Sequence, residues 1–211
     1  MKLNAIITLL CVVGTLTGCG STPSPLLTSG KDLFQGIGKR KAAPVTAATI
    51  RQNLTPEVLA QIKGPIILAE IPSRDAAAAL ILSGKNGQVQ TFASQDGLSL
   101  SFRHGMLINT RGLGNDLMSA DVEGPLKAVM SRTEAPQVTR VHRYLDGENQ
   151  TVTRSFICRY SRAASKVTET CNSTNLQFEN QYILNPAVKI SSSKQWISPT
   201  IGYVTTQTIR N

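Results

Sequence analysis

Few side chains in this sequence are suited to chemistry. Asp116 and Asp121 lie in its densest polar stretch, Arg111-Gly112-Leu113-Gly114-Asn115-Asp116-Leu117-Met118-Ser119-Ala120-Asp121. Paired carboxylates could act as acid and base on a glycosidic bond. Two acids on one short loop rarely reach opposite faces of a sugar, however. The plainer reading is a glycine-hinged turn in which Asn115 or Asp116 caps a short helical turn. His104 and His142 belong to no metal-ligand spacing. There is no Gly-x-Ser-x-Gly elbow and no phosphate loop, and Gly112 and Gly114 lack the third glycine of a dinucleotide site. No catalytic residue, metal or cofactor is expected. Cationic side chains offer the other chemistry. Arg140, His142 and Arg159, continued by Arg162 and Lys166, read as a strip on one sheet face that would bind an acidic polysaccharide or an acidic protein surface. A merely solvated face explains the same residues. Trp196 is the only tryptophan, which excludes a row of indole platforms for sugars. Tyr144, Tyr160, Tyr182 and Tyr203 suit core and rim positions.

The N-terminus carries a different signal. Lys2 is followed by an apolar run over residues 5–16, too short to span a bilayer, and then by Leu16-Thr17-Gly18-Cys19. This is the layout of a secretory signal peptide, and its end resembles the lipobox of bacterial lipoproteins. That resemblance implies cleavage before Cys19, a diacylglycerol thioether on its sulfur and acylation, with palmitate for example, of the new amino group. Several acyl chains would hold the protein stably on a membrane where one would not. Gly20 follows the cysteine where an inner-membrane retention signal would have Asp, so the same resemblance favours the outer membrane, facing the periplasm. Residues 20–31 are rich in Gly, Ser, Thr and Pro, a composition that favours a tether. The expected organisation is a signal peptide over residues 1–18, an anchor and tether over 19–43, and one β-rich periplasmic domain over 44–211.

This placement simplifies the cysteines. Cys11 would leave with the leader and Cys19 would carry lipid, so Cys158 and Cys171 remain to pair in an oxidising compartment. Twelve intervening residues do not resemble a redox-active Cys-x-x-Cys, and a structural bridge is expected. The 211 residues carry 22 Lys and Arg against 13 Asp and Glu, a formal charge of +9. An exported basic protein rarely meets nucleic acid, so anionic lipid or an acidic polymer ranks higher as a partner.

The elements that must position these groups read mainly as strands. One helix is well marked at 56–61, with Thr55 as N-cap, Pro56 at the first position and Glu57 in the first turn; a turn of helix over 46–52 is weaker. A strand is expected at 66–71, and another at 76–82 whose uninterrupted apolar character implies cover on both faces. Asn86-Gly87 and Asp96-Gly97 mark hairpin corners. They set Ile81 opposite Phe92, Leu82 opposite Thr91, and Ala93 opposite Leu100, with an extension at 106–110 after His104-Gly105. A two-residue turn at Asp146-Gly147 would pair Val141 with Val152 and Arg140 with Thr153. That register places Val141, Leu145, Val152, Phe156, Cys158 and Tyr160 inside and leaves Arg140, His142 and Arg159 in water. Further strands are expected at 167–171, 176–182, 188–190 and 202–208. The fold class is mainly β: a single antiparallel β-sandwich or open barrel with one or two short helices near its N-terminal edge.

Taken in order, the lipobox, the Arg111 to Gly114 turn leading to Asp116-Leu117, the hairpin Tyr144-Leu145-Asp146-Gly147 and the terminal Gln195-Trp196-Ile197-Ser198-Pro199 resemble the YjbF/GfcB lipoproteins. Those are associated with group 4 capsule and exopolysaccharide production. The resemblance implies an outer-membrane lipoprotein, largely β, that works beside polysaccharide export proteins; it transfers no catalytic motif. The expected role is non-enzymatic assistance of capsule or exopolysaccharide export, through contact with glycan or an envelope protein. The alternatives are a glycan-modifying enzyme using Asp116 and Asp121, and a structural envelope protein contacting anionic lipid.

Overall fold

The computed structural model describes residues 45–131 and 137–211. Twelve strands form one antiparallel sheet: β1 (Ile66–Ile71), β2 (Ala76–Asn86), β3 (Val89–Ala93), β4 (Ser99–Arg103), β5 (Met106–Arg111), β6 (Ser119–Asp121), β7 (Val138–Leu145), β8 (Thr151–Ala163), β9 (Lys166–Asn172), β10 (Gln177–Leu184), β11 (Ile190–Ser198) and β12 (Gly202–Arg210). Their spatial order is β5-β4-β3-β2-β1-β12-β11-β10-β9-β8-β7-β6. The two ends of that order meet again. Thr110 N donates to Leu117 O at 2.9 Å, Met118 N to Arg143 O at 2.9 Å, and the Asn109 amide to Met118 O at 2.6 Å. The result is a nearly closed barrel, the open-barrel form of the expected β class.

Its interior is an apolar cluster that includes Ile67, Leu80, Phe92, Leu100, Phe156, Phe178, Trp196 and Val204. A second, outer cluster explains the alanines of β2. Helices α1 (Ala47–Asn53) and α2 (Pro56–Gln61) pack Ala47, Ile50 and Leu54 against Ile66, Leu68, Ala77 and Ala79. Side chains as small as alanine let helix and sheet approach closely, so β1 and β2 are covered on both faces. The Thr55 hydroxyl accepts from Val58 N and thereby caps α2. Arg210 donates to the carbonyls of Leu59, Ile62 and Gly64, fastening the end of α2 to the end of β12. A third helix, α3 (Glu123–Met130), was not expected. It places Val122 and Val129 against Met106, Val167 and Tyr182. Its Gly124 lies so close to β7 that an added Cβ would stand 2.5 Å from Val138 Cγ1.

Several registers differ from those expected. The first hairpin turns at Gly87-Gln88 with Asn86 opposite Val89, and a bulge beside Leu82 brings Leu82 opposite Phe92 and Ile81 opposite Ala93. β3 and β4 pair Phe92 with Leu100 and Ala93 with Ser99. The β7–β8 difference has the largest consequence. Asp146 Oδ1 accepts from Glu148 N at 2.9 Å and Gln150 N at 2.8 Å, and Asn149 takes a left-handed φ of 61°. The connection therefore runs through Gln150, and Leu145 faces Thr151, Tyr144 faces Val152 and Arg140 faces Phe156. The shift is odd, so every β7 side chain changes face. Val141 and Leu145 point away from the core, and Arg140, His142 and Tyr144 point into it. The strand expected at 188–190 begins at Ile190 and runs on to Ser198. Residues 1–44, with the leader, Cys19 and the tether, lie outside the described residues.

Cys158 and Cys171 are directly opposite one another on β8 and β9 and are joined, with their Cα atoms 4.0 Å apart. The bridge closes a loop of sequence separation 13. Replacing both cysteines by alanine should lower the unfolding free energy by about 3 kcal/mol, measured by urea titration; an unchanged midpoint would show that the loop constraint contributes nothing.

Candidate functional site

The odd shift of β7 dismantles the expected cationic strip. Arg140 and His142 are 0 % exposed, inside the barrel, and are not available to a polyanion. Arg159 stays exposed and, with the Gln137 amide oxygen turned toward it, donates from Nε and Nη2 at 2.9 Å. Arg162 reaches the last turn of α3 and donates to Val129 O at 3.0 Å and to Ser131 O, which suits a cation at a helix C-terminus. Lys166 is half-buried at the start of β9. These five residues form no common surface.

Arg140 instead organises an interior network. Its Nη1 lies 3.2 Å from Glu169 Oε2, and both partners are fully buried. Tyr160 OH donates to Glu169 Oε1 at 2.8 Å, while Tyr182 OH at 2.8 Å and the Asn180 amide at 2.7 Å donate to Oε2. Arg140 Nε donates to His142 Nε2 at 2.7 Å. That bond fixes the histidine: Nε2 offers a lone pair, so the proton sits on Nδ1 and goes to Tyr144 OH at 2.9 Å. Tyr144 in turn donates to Ile197 O at 2.7 Å. His142 lies between aromatic rings, stacked on Trp196 with centroids 5.7 Å apart, and Trp196 stacks on Phe178 at 4.6 Å. Among the described residues no buried side-chain nitrogen or oxygen lacks a partner.

The electrostatics follow from burial. Desolvation is the largest single influence on Arg140 and would favour the neutral form, but Glu169 acting together with Tyr182 and Tyr160 more than offsets it and holds the guanidinium charged. Burial, and then the charge of Arg140, keep His142 well below its ordinary value of 6.5. Burial, and then Glu169, push the Tyr160 and Tyr182 phenols up. Arg140, His142, Glu169 and Tyr182 are sealed from solvent, so no substrate can reach this carboxylate while the barrel is closed. Cys158, Cys171 and Glu169 converge within 4.8 Å, but both sulfurs are spent in the disulfide and cannot ligate a metal.

The acid pair also has structural work. Asp116 accepts from Thr110 Oγ1 at 2.6 Å, Gly112 N at 3.1 Å and Leu113 N at 3.2 Å, closing the loop between β5 and β6. Asp121 Oδ1 accepts from Glu123 N at 3.2 Å at the start of α3. Asp116 thus ties a loop rather than capping a helical turn.

Among the described residues, a cavity of about 650 Å³ opens to solvent at one end of the barrel. Its walls come from Ile67, Phe92, Phe102, Thr206 and Thr208, and its lip from the His104-Gly105 turn, Lys189 and Arg210. Residues 104–105 form a tight turn that leads into the expected extension, with φ of 50° and 84° and Arg103 opposite Met106. The Gly105 carbonyl accepts from Gln195 Nε2 at 2.9 Å, and a Cβ on Gly105 would stand 2.7 Å from Ile190 Cβ. The β4–β5 turn is therefore seated against β11 across the barrel, and His104 shares a lip with Lys189. Sequence reading missed this site because its parts come from strands far apart in the chain.

Comparison with known proteins agrees with the architecture. The family model described as group 4 capsule polysaccharide lipoprotein gfcB, YjbF, matches residues 39–209. The crystal structure of the hypothetical lipoprotein YmcC from Escherichia coli (K12) is similar at a TM-score of 0.62 and 13% sequence identity, covering 81% of this chain and 98% of that one. At that identity the likeness shows the fold. Among curated proteins none matches.

Two outcomes test the interior network. Glu169→Gln leaves the buried guanidinium without its counter-charge and should cost roughly 3–5 kcal/mol of stability in a urea titration. His142 refuses a proton when folded and accepts one below pH 6.5 when unfolded. Its contribution is full above that pH and is lost at about 1.4 kcal/mol per pH unit as the solution is acidified further. Nitrogen NMR of the imidazole should keep the neutral Nδ1–H form at about pH 5.5, and a charged ring there would contradict the assignment.

Proposed function

Since the chain belongs to the YjbF family of group 4 capsule polysaccharide lipoproteins, we propose that it is a lipid-anchored envelope protein that assists capsule or exopolysaccharide export by binding and not by catalysis. The family match over residues 39–209 carries this reading. The Leu16-Thr17-Gly18-Cys19 motif supports anchoring through Cys19, and Gly20 after it supports an outer-membrane address facing the periplasm. Two structural observations support a binding role. Asp116 and Asp121 are engaged by backbone amides, and neither they nor any other Asp or Glu lines the cavity at the barrel end, so an acid–base pair for glycoside cleavage is not assembled there. The alternative surface, a continuous cationic face against anionic lipid, loses Arg140 and His142 to the core.

In native cells, Cys19→Ala should abolish incorporation of labelled palmitate into the protein and lower surface polysaccharide, whereas Asp116→Asn with Asp121→Asn should leave the polymer in place if the protein still folds. Normal polymer after deletion of the whole chain would refute the role. Loss of polymer in the well-folded double variant would return catalysis to consideration.

A further inference from the structure

The cavity has a charge pattern and a polarity gradient that narrow what it can hold. Its volume, about 650 Å³, falls within the roughly 300–1,000 Å³ of small-ligand pockets. The charged side chains on its lining are Lys189 and Arg210, with the imidazole of His104 beside them, and no Asp or Glu side chain lines it. Arg210 already donates to the backbone carbonyls of residues 59, 62 and 64, so it contributes charge and a fixed wall. Lys189 is exposed and its ammonium has no partner among the described residues, which leaves it free to meet an incoming anion. The deeper part combines hydroxyls with aromatic carbon. Thr206 Oγ1 is 2.8 Å from Ser193 Oγ, which accepts from Gln195 Nε2 at 2.9 Å, so a polar chain continues from the cavity into the buried network. Phe92 and Phe102, in edge contact with ring centroids 6.1 Å apart, supply the apolar wall. Hydroxyl-binding groups beside aromatic carbon, under a cationic lip, are the complement of a carboxylated sugar ring and not of a bare acyl chain.

We propose that this cavity binds an acidic sugar unit, a hexuronate within a polysaccharide chain, with its carboxylate at Lys189 and His104 and its ring against Phe92, Phe102 and the Thr206 and Thr208 hydroxyls. The choice of a glycan as the source of the anion rests on the polysaccharide reading above. The seating of Gly105 on Ile190 matters because it holds both halves of the lip together without ligand, so the site is preformed and binding does not have to order it.

The test uses the full chain purified in detergent and titrated with tetragalacturonate, with maltotetraose and phosphatidylglycerol vesicles as parallel arms, followed by amide NMR and calorimetry. Tetragalacturonate should shift the amides of Lys189, Thr206 and Thr208, and its affinity should fall with added salt. Lys189→Glu, at an exposed site that leaves the fold intact, should weaken it roughly fivefold. Thr208→Trp, which fills the cavity, should abolish it; if that variant misfolds, Lys189→Glu alone decides. No binding, equal binding of maltotetraose, indifference to Lys189→Glu, or preference for the vesicles would each overturn the proposal. Failure here, with polymer still lost on deletion of the chain in cells, removes the cavity assignment and leaves the export role standing; normal polymer after deletion, with tetragalacturonate binding intact, does the reverse.

Discussion

A guanidinium buried at the centre of a barrel sets the terms for everything around it. Moving Arg140 and Glu169 out of water costs several kcal/mol for each ion, and only good geometry with every remaining donor and acceptor satisfied offsets that cost. The partners come from five strands: Leu107 on β5, His142 on β7 itself, Tyr160 on β8, Glu169 on β9, and Asn180 and Tyr182 on β10. They surround the guanidinium only when the sheet has curled closed. The same groups close the wall. β5 is the last strand of the order, and on its outer edge Leu107 is satisfied by side chains: its N–H donates to Gln195 Oε1 at 2.8 Å and its carbonyl accepts from Arg140 Nη2 at 3.4 Å. A flattened or opened sheet would orphan the charge and the edge together, which favours one closed state over a family of partly paired ones.

The interior is thereby divided. Toward one end, Trp196, Phe178, Phe156 and His142 pack ring against ring around the neutral imidazole. Toward the other, the polar chain through Gln195, Ser193 and Thr206 ends in open space. Helices α1 and α2 stay outside on β1 and β2, and α3 packs where Met106, Val167 and Tyr182 meet. A barrel sealed at its middle and open at one end has the shape of a receptacle and not of a conduit.

How much of this was legible depends on local chemistry. Thr55-Pro56-Glu57 specifies α2, and its bounds are those the structure shows; His104-Gly105 likewise fixes a two-residue turn. β7 was misread because Asp146 hydrogen-bonds two backbone amides and extends the connection to Gln150, an odd change that no alternation pattern within β7 reveals. Arg140 and His142 look like surface residues by type, and only their partners make them core residues. Glu169 could have been found: if Cys158 faces Cys171, Tyr160 must face Glu169, which puts a carboxylate inside. α3 was hidden by Gly124-Pro125, although proline is tolerated in a first helical turn. Ser191-Ser192-Ser193 disguised most of β11 as a loop.

The position of the disulfide carries one more implication. Cys158 and Cys171 occupy directly opposed sites, with Cα atoms 4.0 Å apart. A slip of two residues, the smallest that keeps each face inward, would separate them by about 7 Å along the strands, beyond the reach of a disulfide. Within a formed β8–β9 ladder the bridge is therefore compatible only with the aligned register, the one that delivers Glu169 to Arg140. Once closed, the bridge locks that alignment covalently and so keeps the buried charge beside its counterion.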